Sequence, residues 1–372
     1  METFSCRFCG QQDGEVVLDL GEQPACEYFP PMSDTATDPL FPLRLWLCGS
    51  CGLAQLPDDA ELPDQPEGRE PTALAEQRHD AVLAAHAAGL LPAGATVAEG
   101  ATPHGGSWQG ELEEFGLRPA GDRTRADVVV DGSFGMMHAI DQGAALDALL
   151  DMLLPDGVLL FQFHTLGAIL REAQWNAIRL GHYAYYSTPA LQGMLATRGL
   201  IVTDAWSFPL YGGTVLLAAR RGGRPAPSVA AIVEDEKNIG VLDAAALRKL
   251  HDRVDVSTSA LRDLLYDARR AGDRVYGYSA ASRAVALLHL AGLQDGLLHG
   301  VADASPAKQG CRMPGTTVPV ITPDELVTGR PDVVLLFVSD LLSEVRLALP
   351  EIEASGANWI DAGAGPNGTG TT

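Results

Sequence analysis

The chain has 372 residues, 46% of them apolar, which is more than one core holds and too apolar for disorder, so two or three globular domains are expected. A formal net charge of −22 repels phosphate backbones and argues against a nucleic-acid partner, and no apolar run reaches the roughly 18 residues that a bilayer demands. The opening residues Met1 to Cys6 hold neither a basic n-region nor an apolar h-region, so no membrane partner and a cytoplasmic location are expected.

In chain order, residues 1–56 read as short strands and turns: Val16 to Leu20, a Pro-rich stretch, then Phe41 to Leu47. An acidic, Pro-rich linker covers 57–72, and a helix of about 18 residues follows from Ala73 to Leu90. Residues 73–220 then alternate. Strands are expected at Thr96–Ala98, Ala126–Val130, Gly157–Phe163, Gly199–Trp206 and Thr214–Ala219, and helices at Trp108–Phe115, Leu146–Leu153 and Pro189–Thr197. Such alternation predicts a largely parallel sheet covered on both faces. A composition break at 221–228 precedes a helical stretch from Val229 to Ala271. A second α/β unit, within 229–363, has expected strands at Arg274–Gly277, Gly296–Val301, Val318–Val320, Val333–Val338 and Trp359–Ile360, with a helix at Leu341–Glu353. The tail after Gly363 is Gly/Thr-rich and reads as disordered.

The strongest chemical signal is Cys6-x-x-Cys9 with Cys48-x-x-Cys51. Two residues between thiols let both enter one tetrahedral shell, and two such pairs close it, which points to structural zinc; in a reducing compartment this outweighs two redox dithiols. Cys26 and Cys311 are expected to be small apolar fillers rather than nucleophiles.

Two glycine-rich turns follow strands. Glu99-Gly100-Ala101-Thr102-Pro103-His104-Gly105-Gly106 offers backbone N–H groups to a ligand or is an ordinary strand–helix loop. Gly277-Tyr278-Ser279-Ala280-Ala281-Ser282-Arg283, with Asp303 after the next strand, suits a phosphate or nucleotide group at a helix N-terminus, with tight helix–strand packing as the alternative. His138, His164 and His182 all fall beyond carboxyl ends of expected strands, where imidazoles can move protons.

These segments resemble the zinc-containing C-methyltransferases of deoxysugar biosynthesis, a secondary-metabolite family. The motifs are the two Cys pairs, Leu18-Asp19-Leu20-Gly21-Glu22-Gln23-Pro24, Leu154-Pro155-Asp156-Gly157, His182 with Tyr185-Tyr186-Ser187, Gly212-Gly213, Gly277 to Ala280 with Arg283, Lys308-Gln309-Gly310, and Pro314-Gly315-Thr316. The resemblance implies an α/β chain of three parts: a small four-cysteine zinc-binding domain, a central shortened Rossmann-like methyltransferase domain, and a C-terminal Rossmann-like α/β domain. It implies a histidine base that takes the proton next to a keto group, an enolate that attacks the methyl of S-adenosylmethionine (SAM), and a nucleotide-linked sugar as substrate. By position His182 resembles the base and His138 a second active-site histidine, with His164 and Tyr185 beside them. Glu99, Gly100, His104, Gly105 and Gly106 fall where SAM binds; Tyr211, Gly277, Ser279, Ala280, Arg283, Asp303 and Lys308 fall where substrate binds.

The chain also departs from the pattern. Gly181 stands where the family has a glutamate, Tyr211 where it has a histidine, and the donor loop has lost its Asn-Asp-Gly ending. Only 20 residues separate Gly106 from Asp127, room for one crossover, straight to the next strand. Glu113 and Glu114, on the expected helix, do not replace the acidic residue that grips the ribose. Three readings stay open: C-methylation from SAM; SAM-independent proton abstraction by an epimerase, isomerase or dehydratase-like enzyme; and a non-catalytic binding or scaffold protein.

Overall fold

A computed structural model describes residues 3–63, 72–103, 105–121, 125–293 and 296–362. Near the N-terminus, β1 (Gly14–Pro24) pairs antiparallel with β2 (Leu40–Cys48), and β3 (Ala54–Gln55) adds to the far side of β2. In β1 the apolar Val17, Leu18 and Leu20 turn inward, and the double-sided burial is met by register shifts at Val16/Leu18 and Asp19/Glu22.

The central unit runs α1 (Thr72–Ala87), β4 (Thr96–Glu99), α2 (Gln109–Glu114), β5 (Arg118–Pro119), β6 (Ala126–Asp131), α3 (Gln142–Asp151), β7 (Leu153–His164), α4 (Leu166–Arg171), β8 (Ala184–Tyr185), α5 (Thr188–Ala196), β9 (Ile201–Phe208) and β10 (Thr214–Arg220). Its sheet has the order β5-β4-β6-β7-β10-β9, parallel from β5 to β7, with β10 antiparallel to both neighbours. Strand β6 shows why the sheet is covered twice: Val128 and Val130 pack with Trp108 and Leu112 on one face, while Val129 packs with Leu146, Leu150 and Leu159 on the other. Helix α3 starts four residues earlier than expected because Asp141 accepts the Ala144 N–H at 2.8 Å, a cap the apolar spacing alone does not reveal.

One correction concerns the crossover. Helix α2 does not lead straight to β6; it first forms the two-residue strand β5, parallel to Thr96-Val97 on the outer edge of the sheet. The backbone N–H groups of Arg118 and Ala120 reach the carbonyls of Ala95 and Val97, so the strand forms although proline takes one of its two places. No further strand lies outside β5 among the described residues.

Helices α6 (Pro227–Ile239) and α7 (Ala244–Ala271) lead to the C-terminal unit: β11 (Val275–Tyr278), α8 (Ser282–Ala291), β12 (Val301–Ala302), β13 (Val320–Ile321), α9 (Pro323–Thr328), β14 (Val333–Leu336), α10 (Leu342–Ala348), α11 (Pro350–Ala354) and β15 (Asn358–Asp361). The sheet is wholly parallel, ordered β13-β12-β11-β14-β15, so chain direction across it reverses between β11 and β14 and leaves a crevice at their carboxyl ends. Two expectations are corrected. The strand Gly296–Val301 shrinks to Val301–Ala302, and the helix Leu341–Glu353 divides at Pro350, whose ring lacks the N–H a continuing helix needs.

The N-terminal sheet is wedged between the other parts. Leu18, Leu20 and Leu45 share an apolar cluster with Leu247, Leu261 and Leu288, while Trp46, Cys48 and Leu53 belong to the cluster of Phe161 and Leu191. Strand β8 pairs with β3, Ala54 facing Tyr185. The cores are therefore continuous across the expected boundaries at 56, 73, 220 and 229. No helix among the described residues is long and apolar enough to cross a membrane.

Candidate functional site

The four sulfur atoms of Cys6, Cys9, Cys48 and Cys51 lie within 4.8 Å of one another. Each pair sits on a turn closed by a backbone bond, Gly10 N–H to Cys6 O at 2.9 Å and Gly52 N–H to Cys48 O at 3.0 Å, and both glycines take the left-handed φ (+71° and +75°) such turns need. Sulfur separations of 3.5 Å (Cys6–Cys51) and 3.6 Å (Cys9–Cys48) approach the edge of about 3.8 Å set by a tetrahedron of roughly 2.3 Å zinc–sulfur bonds. The donor set fits zinc, and four thiolates leave no open position for substrate. Cys26 lies apart, buried, its thiol raised to about 12 by burial and directed at Leu180 O, as an inert apolar filler should be.

A cavity of about 600 Å³ lies where the carboxyl ends of the central and C-terminal sheets face each other. His138 ends the 3-10 turn Gly135–His138 after β6. The buried Asp131 carboxylate builds that turn by accepting Gly135 N–H at 2.9 Å and Met136 N–H at 3.0 Å, and burial lifts its pKa to about 7. His182 lies in the turn before β8, its ring edge-on to His138 at 4.5 Å between centroids. Arg179 donates to His182 Nε2 from Nη2 at 2.9 Å and from Nε at 3.1 Å, and from Nη1 to Ser282 Oγ at the start of α8. Tyr185 holds this turn by its backbone: its Oη accepts Arg179 N–H at 2.8 Å and donates to Arg179 O at 3.2 Å. That hydroxyl is thereby committed to positioning rather than to moving a proton, and burial raises its pKa further.

His164, at the end of β7, faces the Tyr211 ring at 6.1 Å. Burial, with Arg283 and Arg179 acting in the same direction, lowers its pKa to about 3, so its ring is neutral, and its buried Nε2 has no hydrogen-bond partner among the described residues. Tyr211 adopts a left-handed φ of +57°, donates its N–H to Asp340 Oδ2 at 3.1 Å and lies 4.9 Å under the Arg283 guanidinium. Burial, then Arg179, pulls the Arg283 pKa down to about 10, leaving it cationic.

On the C-terminal side Ser279 lines the cavity with a φ of +69°, and Asp303 fixes the turn by accepting Ala280 N–H and Ser305 N–H, both at 2.8 Å. Lys308 donates to Ala280 O at 2.8 Å and stands 4.0 Å from Asp303. The structure thus brings together His138, His164, His182, Tyr185, Tyr211, Ser279, Arg283, Asp303 and Lys308 around one cavity. It does not bring Gly277 or Ala280 there. Gly277 is pressed under Phe337, where a Cβ would overlap the ring, and Ala280 is wholly buried with both backbone groups spent on the turn. Arg179 was missed by sequence reading, because a lone arginine three residues before a histidine belongs to no recognisable pattern.

The first glycine turn has a different fate. Of its described residues only Gly105 reaches the cavity, and His104 lies outside the described residues. Glu99 caps the following helix, accepting Trp108 N–H at 2.8 Å and the Ser107 hydroxyl at 2.6 Å; Gly100 donates to Val130 O at 2.7 Å; Gly106 O accepts the Ser133 hydroxyl at 2.6 Å. The buried Trp108 indole lies over Gly132, and the Ala101 carbonyl abuts Gly135 so closely that a Cβ on either glycine would overlap it. Loop and strand end are thus in direct contact at these two glycines, while Gly105 of the loop and Ser133 and Phe134 after β6 line the cavity. A Gly135→Ala substitution should destabilise the fold by about 1–3 kcal/mol through overpacking, read as a lowered melting temperature; an unchanged one would mean that the loop stands away from β6.

Residues 6–63 match the family model described as "Putative zinc binding domain", and residues 209–362 match the C-methyltransferase C-terminal domain. Among curated proteins the chain is 25% identical over 226 residues to the C-methyltransferase NovU of Streptomyces niveus, covering 60% of this chain and 54% of the relative, so it spans about half that protein's length. Two solved structures overlap it at 17% identity. They are the 1,6-didemethyltoxoflavin-N1-methyltransferase of Burkholderia thailandensis (TM-score 0.27, 46% of this chain, 96% of that one) and the magnesium protoporphyrin IX methyltransferase of Synechocystis PCC 6803 (TM-score 0.29, 42% and 90%). The chain is thus similar to a zinc-binding domain model near one end and to a C-methyltransferase C-terminal domain near the other, with a C-methyltransferase as its curated relative.

Proposed function

We propose that this protein removes the proton next to a carbonyl group in an anionic small molecule, with His182 as the base and His138 beside it. The supporting observation is the pair of imidazoles 4.5 Å apart in a cavity that also holds the Arg179 and Arg283 guanidiniums. A carbonyl acidifies the neighbouring C–H, a neutral imidazole accepts the proton, and a guanidinium offsets charge as it builds on the enolate oxygen. The uncapped start of α8 with Ser282 and Arg283 suits a phosphate or diphosphate, so a keto sugar linked to a nucleotide is the substrate class proposed. The next step at the enolate carbon divides two readings. The match to a C-methyltransferase C-terminal domain favours its methylation in secondary-metabolite (deoxysugar-type) biosynthesis, while the close packing of Trp108 on Gly132 and of Ala101 on Gly135 favours reprotonation without a methyl donor, as in an epimerase or isomerase.

Incubation with a keto-sugar nucleotide in deuterated water, with and without SAM, tests both. Deuterium at the α-carbon without SAM supports proton abstraction; a methyl mass gain that requires SAM makes methylation the reaction. Neither change, with tight nucleotide-sugar binding, would identify a binding protein and overturn the proposal. Calorimetry with SAM alone separates the two readings: heat at high micromolar concentration favours methylation, and its absence favours reprotonation.

A further inference from the structure

We propose, on the reading of His182 as base, that Arg179 masks this base in the unliganded protein and that an anionic group of the substrate unmasks it. A neutral imidazole has a single lone pair, and a guanidinium offers donors only. Nε2 must therefore be the acceptor of the bonds from Arg179 Nη2 and Nε, at 2.9 and 3.1 Å, and the lone pair that would take a proton is already engaged. Arg179 is held by its backbone to Tyr185, so its side chain, not the turn, is the part free to turn away.

The same guanidinium points to what would draw it off. Its Nη1 reaches Ser282 Oγ, the first residue of α8, and the next residue, Arg283, brings a second guanidinium to the same cavity, resting on the Tyr211 ring. Neither arginine is ion-paired with a carboxylate among the described residues. Two guanidiniums that face one cavity and hold no carboxylate in an ion pair form a site for a phosphate or diphosphate, which offers them the charge pairing and bidentate bonds that a neutral ring does not. An anion seated between Ser282 and Arg283 competes for Arg179 and releases Nε2 at the moment substrate is in place. The base is thus coupled to occupancy, and the anion site supplies specificity for phosphorylated over neutral keto compounds.

Carbethoxylation of His182 by diethylpyrocarbonate, followed peptide by peptide by mass spectrometry, reads the state of that nitrogen directly. In the wild-type protein His182 should react slowly, and saturating inorganic pyrophosphate should speed it by about tenfold or more, the change expected for roughly 1.4 kcal/mol of lost masking. In Arg179→Met, which keeps the apolar stem, His182 should react at the fast rate whether or not pyrophosphate is present. A wild-type rate that pyrophosphate leaves unchanged or lowers overturns the proposal, as does an Arg179→Met protein whose His182 stays as slow as wild type. The wild-type comparison stands even where the variant fails to fold. Absence of deuterium exchange would remove the proposed reaction without touching this readout, so the two failures are distinguishable.

Discussion

His182→Ala should lower solvent exchange into a keto-sugar nucleotide by about 10²–10⁴-fold, the share of the rate that a positioned general base supplies. Zinc content and cooperative unfolding should stay as in wild type. The side chain is 7% exposed and lines the cavity, so its removal enlarges an existing space rather than opening a void inside an apolar core. Arg179 keeps its bond to Ser282 Oγ in the variant and is not left stranded. His138, 4.5 Å away, is the group best placed to supply residual activity, so His138→Ala in the same background should remove what remains. Mass-spectrometric deuterium counting checks both. Full exchange by the single variant would take His182 out of the mechanism and leave the two guanidiniums as a binding site only.

Much of this arrangement is legible in the residues, for physical reasons that differ from part to part. The Cys pairs are readable because metal geometry dictates spacing: the 38 residues between the knuckles can loop out freely, but the two-residue gap inside each cannot change. The α/β order is readable because strands such as β6 and β14 are apolar on both faces. The shortened donor region is readable as a length, since a missing crossover subtracts residues, yet its consequence is not. That Trp108 lies on Gly132, or that Ala101 meets Gly135, depends on how a helix start and a strand end approach through space. The two-residue strand β5 escapes notice because its Arg-Pro sequence disfavours a strand and only edge pairing with β4 creates it. Arg179 is the clearest case. Its partners are His182 nearby in sequence and Ser282 more than a hundred residues on, and no local pattern joins the three.

Cys48→Ala should lower stability by several kcal/mol, because the binding energy of a structural metal is folding energy, and should release zinc on mild chelation. The consequence reaches beyond the N-terminal segment. Cys48 is 1% exposed and packs with Trp46 and Leu53 in the cluster that holds Phe161 and Leu191 of the central unit, so loosening it opens a shared core. Strand β3, three residues past Cys51, pairs with β8, where Ala54 faces Tyr185, and Tyr185 is the group that clamps the Arg179 backbone beside His182. Thus zinc, β3, Tyr185, Arg179 and His182 form one continuous chain of contacts. Loss of the metal should therefore reduce exchange activity together with melting temperature, and zinc readdition should restore both in the wild-type protein but not in the variant. Thermal unfolding with parallel zinc and activity assays checks the coupling. A variant that keeps its melting temperature would show that no zinc is held by these thiolates, and one that loses stability yet keeps full exchange would break the link from β3 to the base.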